Sequence, residues 1–179
     1  MSRVIDLGQS RVQLAAKRGY RNWTSRFREA FGIETRLSQI SAKTLSYLAQ
    51  ARDKGTFYLY DLIMNLQGLG SAFEFDELSS ENKMAVIDRY LFLLDRIRFE
   101  CMKRLGWIDR YPGEGFTLVE LVLQYERLGP QLQAQVPSLS RTHPAYGRFV
   151  KMNALDQEAF LRKMIPMALK KMERYSTTL

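Results

Sequence analysis

Residues 79–104, SSENKMAVIDRYLFLLDRIRFECMKR, decide the fold. Met84, Ile87, Leu91, Leu94, Cys101 and Leu105 recur at helical spacing along one stripe, and Val86, Tyr90, Leu93 and Ile97 along a second. Ser79 or Ser80 supplies the oxygen that a helix start needs. The stretch therefore reads as one long helix, about 80–104. A helix that is apolar on two sides belongs in the middle of a bundle.

Helical spacing continues outward in both directions. Upstream, FYLYDLIMNLQGL (57–69) is apolar nearly all round, interrupted only by Asp61, Asn65 and Gln67, and reads as a buried helix. A helix over about 38–54 carries Leu37, Ile40, Thr44, Leu45, Leu48 and Ala51 and stops before Gly55. A basic helical region, 9–31, is broken at Gly19. Its second half sets Tyr20, Trp23, Phe27 and Phe31 opposite Arg21, Thr24, Ser25 and Arg28, so Trp23 and Phe27 are expected to be largely buried.

Downstream, Leu105–Gly106 closes the long helix and WIDRYPGEG is turn-rich. Thr117 and Glu120 form a T-x-x-E capping box, with Phe116 and Leu121 placed as a hydrophobic staple. Gly129–Pro130 ends that helix near Leu128, and 130–147 is a proline-rich loop. Asp156 caps a basic C-terminal helix, 155–175, which Pro166 should kink. No long two-residue alternation suggests a sheet. The expectation is an all-α fold: a single compact bundle-like domain over 1–179, with six to eight helices around the 80–104 helix.

Composition narrows the chemistry. The 179 residues contain one histidine, His143, and one cysteine, Cys101. These cannot build a zinc or iron–sulfur site, so no metal and no cofactor are expected. His143 precedes Pro144 in a loop, and Cys101 reads as a small buried hydrophobe. Asp61, Asp88, Asp95 and Glu120 are the acids on which a carboxylate-based enzyme could draw. Asn65, one turn from Asp61, reads as its hydrogen-bond partner, and Arg89 and Arg96 as salt partners of Asp88 and Asp95. No catalytic residue is assigned, and the chain is read as not an enzyme. A lone cysteine, an N-terminus without a signal-length apolar core, and the lack of some 18 consecutive apolar residues point to the cytoplasm and to no transmembrane segment.

The net charge of +8 is unevenly spread. Residues 1–30 hold seven Lys/Arg against two acids and residues 141–179 eight against three, whereas the middle holds twelve against fourteen. Arg11, Lys17, Arg18, Arg21 and Arg28 near one end, and Lys170, Lys171 and Arg174 near the other, are the candidate polyanion-binding residues.

Two short stretches resemble known families. Gly115–Leu121 (GFTLVEL) resembles the cleavage and helix-start motif of type IV prepilins over seven positions. In that family it follows a basic leader and opens a long apolar helix, whereas Gln124–Arg127 end the apolar run here, and the capping box accounts for the same residues. The long helix followed by Gly106–Trp107–Ile108–Asp109–Arg110, a Pro-Gly turn and Gly115–Leu118 is similar to the recognition helix and β-wing of winged-helix DNA-binding domains. That likeness implies that Arg98, Lys103, Arg104 and Arg110 face phosphates. Winged helices set a separate short helix before the recognition helix, where this chain runs unbroken.

The reading is a non-enzymatic helical binding or regulatory protein acting through a protein partner, with homo-oligomers open to it. The alternative is nucleic-acid binding by the basic N- and C-terminal helices, and the second alternative is a carboxylate enzyme. Thr117→Ala should cost about 1 kcal/mol in thermal unfolding through loss of the helix cap; an unchanged melting temperature would show the helix start to be misplaced.

Overall fold

A computed structural model describes residues 7–177. In chain order these form α1 (Leu7–Gly19), α2 (Arg21–Phe27), a 3-10 turn (Leu37–Gln39), α3 (Ala42–Ala49), α4 (Asp53–Leu66), a 3-10 segment (Ala72–Glu77), α5 (Ser80–Arg104), β1 (Ile108–Arg110), α6 (Leu118–Leu123), α7 (Tyr125–Gln133), β2 (Ser138–Leu139), α8 (Tyr146–Phe149) and α9 (Ala154–Thr177). The class is all-α around a long central helix, as residues 79–104 require.

α5 is the axis. Ser79 Oγ accepts the Asn82 N–H at 3.1 Å and fixes its start, and Gly106, with φ 76°, turns the chain away at its end. Val86, Phe92, Leu93, Ile97, Cys101 and Met102 are completely buried. Helices α3, α4, α6 and α9 and strand β1 pack around them. One continuous core runs from Ala16 in α1 to Met172 in α9. The first expected stripe is only half covered: Leu94 and Cys101 are buried, but Met84 and Leu91 are 57% and 53% exposed.

Two glycines mark close approach between helices. A Cβ on Gly19 would meet Leu62 Cα at 3.1 Å, so this residue breaks α1 from α2 and also lets α1 lie on α4. A Cβ on Gly55 would meet the Tyr47 carbonyl at 3.3 Å. Gly55 is therefore not a stop but part of the first turn of α4, pressed against α3. The expected 38–54 helix is accordingly divided. The Ser41 hydroxyl accepts the Thr44 N–H and starts α3, α3 ends at Ala49, and left-handed Ala51 (φ 55°) turns the chain into α4.

Both internal prolines lie inside helices: Pro130, expected to end one, and Pro166, expected to kink the last helix or start a new segment. α6 stops at Leu123, Gln124 joins it to α7, and α7 passes through Pro130 to Gln133. α9 runs unbroken through exposed Pro166. A proline removes one amide donor, and on a wet face water can meet the carbonyl left over. The cap of α9 is Asn153 rather than Asp156: its Oδ1 accepts the Asp156 N–H at 2.9 Å. Residues 130–147 are likewise more than loop. β2 pairs antiparallel with β1, Ile108 opposite Leu139. Ile108–Arg110 thus pairs with 138–139 and not with 115–118, which opens α6, so the wing of the winged-helix likeness does not form.

Glu29 ties the exit of α2 to the start of α3. Its carboxylate accepts both the Ser41 N–H, at 3.1 Å, and the Ser41 and Thr44 hydroxyls. Burial alone would raise its pKa, but these hydrogen bonds and the Arg104 charge hold it below the ordinary value. A depressed folded-state pKa stabilises the fold above the ordinary carboxylate range, and that contribution is lost as pH falls through the folded value. Glu29→Gln should therefore lower the melting temperature at neutral pH, with the gap closing below about pH 4; melts across that range check it.

Candidate functional site

The aromatic stripe of α2 faces inward. Tyr20 and Trp23 are buried, and the Trp23 indole donates to the Tyr58 carbonyl at 2.7 Å. Phe27 and Phe31 are half-buried around them, with Phe27 less covered than expected. The solvent-facing groups are instead the cations beside this cluster and a few aromatics outside it.

All eight candidate cations are exposed. Arg11, Lys17 and Arg18 lie on α1 and Arg21 on α2. α1 packs on α4, and α9 on α3 and α5, so the two basic ends rest on different neighbours. Lys170, Lys171 and Arg174 do come together. They line a depression of about 350 Å³ with Trp107 and Met167, and the Lys171 ammonium sits 5.7 Å from the centroid of the Trp107 ring. Lys163, Met167, Lys170, Lys171 and Arg174 all lie exposed at helical spacing along α9. Among the described residues no carboxylate stands within ion-pair distance of Lys163, Lys170 or Lys171.

Arg28 belongs to a second, larger cleft of about 600 Å³. Arg26, Arg28 and Lys43 line it with Phe57, Tyr58 and Phe73, and among the described residues no acid does. Arg26 lies 5.1 Å from the Tyr47 ring centroid. The Tyr58 phenol is pushed up by burial and by Tyr47, with Arg26 opposing. Arg26, Lys43, Phe57 and Phe73, like Lys163 and Trp107, were not singled out from the sequence. The usable signal was an aromatic in a segment without helical period: Phe73 follows a glycine pair and Trp107 opens a turn.

Asp61, Asp95 and Glu120 are each engaged separately. Asp61 is 2% exposed. It accepts from Asn22 Nδ2 at 2.9 Å, Asn65 Nδ2 at 3.3 Å and the Ala72 N–H at 3.1 Å. The Asn65 partnership read from the sequence is present, and two more complete it. Asp95 pairs with Arg162, at 3.2 and 2.9 Å, and not with Arg96. Arg96 instead donates to the Pro112 carbonyl at 2.6 Å and lies 5.1 and 5.0 Å from the Phe92 and Phe99 centroids. Arg89 stacks on Tyr125 and reaches Glu126 rather than Asp88, which is exposed. Glu120 closes the capping box at Thr117. Burial pushes the Cys101 thiol up to about 12, and His143 Nδ1 accepts the Ala145 N–H. Among the described residues no three His, Cys, Asp or Glu side chains gather as a metal site, and no helix is long and apolar enough to cross a membrane.

Compared with known protein families, with curated proteins and with solved structures, the chain gave no match.

Asp61→Ala should lower the urea-unfolding free energy at neutral pH by about 2–3 kcal/mol, since it strips partners from three donors, two of them on other segments. An unchanged midpoint would mean that the carboxylate does not hold these segments together.

Proposed function

We propose that this chain is a non-enzymatic nucleic-acid-binding protein that grips the phosphate backbone along the outer face of α9. The observation that carries this reading is the exposed row of Lys163, Lys170, Lys171 and Arg174 on one rigid rod. Such a row matches a polyanion, whose charges repeat along a line and whose counterions are released on contact. Trp107 and Met167 add an apolar floor between the cations. The protein-partner reading has less behind it. The exposed large apolar residues, Leu14, Phe73, Met84, Leu91, Leu123, Val150, Leu155 and Met167, are spread over several elements, whereas a partner face is expected to gather them into one patch.

Binding of a labelled duplex, followed by fluorescence anisotropy, tests this. Four phosphate contacts predict roughly a hundredfold loss of affinity between about 50 and 200 mM salt. Lys170→Ala with Lys171→Ala should reduce the slope of log affinity against log salt by about 2. Binding that ignores salt, or no binding at low salt, would overturn the proposal.

A further inference from the structure

We propose that the cleft lined by Arg26, Arg28, Lys43 and Phe73 takes unpaired bases, so that the protein prefers single-stranded nucleic acid. The inference rests on the nucleic-acid reading above and adds strandedness to it.

Phe73 is the most exposed large apolar side chain in the described chain, at 82%. It nonetheless has one ring contact. Its ring meets Phe57 at a tilt of 58°, with centroids 4.9 Å apart. The backbone just before it is pinned: the Ala72 N–H donates to buried Asp61, and the Ser71 N–H donates to Glu74 Oε2 at 2.9 Å. The Glu74 N–H, just after it, donates back to the Ser71 carbonyl at 3.0 Å and closes the turn. An aromatic ring backed on one side, with most of its surface in water, is a stacking platform awaiting another ring.

The cations stand around it. Arg26, Arg28 and Lys43 line the same cleft, each exposed and each without a carboxylate in ion-pair distance among the described residues. Arg28 occupies the left-handed region at φ 56° as the C-cap of α2. A non-glycine residue is strained in that conformation, which glycine adopts freely. A guanidinium is thus kept at the rim where a glycine would serve the helix end better.

Cations beside an exposed aromatic face suit a strand whose phosphates and bases are both reachable. A duplex keeps its base faces stacked inside and offers only phosphates to such a surface. Both forms can meet α9, but only the unpaired form can use Phe73.

The test compares labelled oligo-dT with a duplex of equal length, by anisotropy, on the full chain. Phe73→Ala should weaken oligo-dT binding about tenfold, through loss of one stacked base, and leave the duplex unchanged. Arg28→Gly should weaken oligo-dT binding while keeping or raising the melting temperature, because it removes the cation and the strained φ together. The Lys170→Ala/Lys171→Ala variant should weaken both ligands. If oligo-dT and duplex bind equally and neither cleft variant matters, the stacking site is overturned while the backbone reading stands. If neither nucleic acid binds, both fall.

Discussion

A helix buried over most of its surface must be enclosed together with its charges, and α5 is such a helix. Arg89, Arg96 and Glu100 are buried in it along with its apolar residues. A buried charge needs partners at close range. For Arg96 they are the Pro112 carbonyl and two aromatic faces; burial still pushes the guanidinium down to about 10. For Glu100 they are the Tyr111 hydroxyl, at 2.7 Å, and Arg104. Pro112 and Tyr111 lie beyond the end of α5, so satisfying its charges folds the chain after Gly106 back along it. That return places β1 where β2 can pair with it and sets Trp107 against α9. The central charges are consumed inside the fold, and the terminal cations are left outside.

Asp61 plays the same role at the other end. A carboxylate on an otherwise apolar helix is held by neutral donors from α2, from its own helix and from the start of the Ala72–Glu77 segment. Asn22, which lines the 600 Å³ cleft, and Ala72, beside Phe73, share this one anchor. Two sides of the cleft are thus tied below the surface to the same carboxylate, Asp61.

What could be read from the sequence was whatever periodicity and capping control: α5, the buried α4, the break at Gly19 and the Thr117–Glu120 box. What could not be read depended on a neighbour. Gly55 reads as a stop until α3 is known to press against it. Pro130 and Pro166 read as breaks, because cost per residue is local while the packing that outweighs it is not. Arg96 next to Asp95 suggests a pair, but adjacent residues on a helix point in different directions, and Asp95 meets Arg162 sixty-seven positions away. Lys170, Lys171 and Arg174 were visible as a basic cluster; their ring, Trp107, was not, since only the folded-back turn brings it there. Phe73 gave no periodic signal because its segment is short and 3-10.

The placement of charge follows from magnitudes. Two like charges about 4 Å apart cost roughly 1 kcal/mol in water, and beyond about 8–10 Å physiological salt screens most of it. A row of cations spaced along one exposed face is therefore cheap for the folded protein to carry. The same row sunk into the interior would cost far more per ion, which is why α5 spends every nearby carbonyl and ring on its buried arginines. Against a polyanion the balance reverses, because each contact releases condensed counterions and the gains accumulate along the row. Cations on an uncrowded rod, beside a ring that packing keeps from sinking inward, are the arrangement in which a low folding cost coincides with a large binding gain.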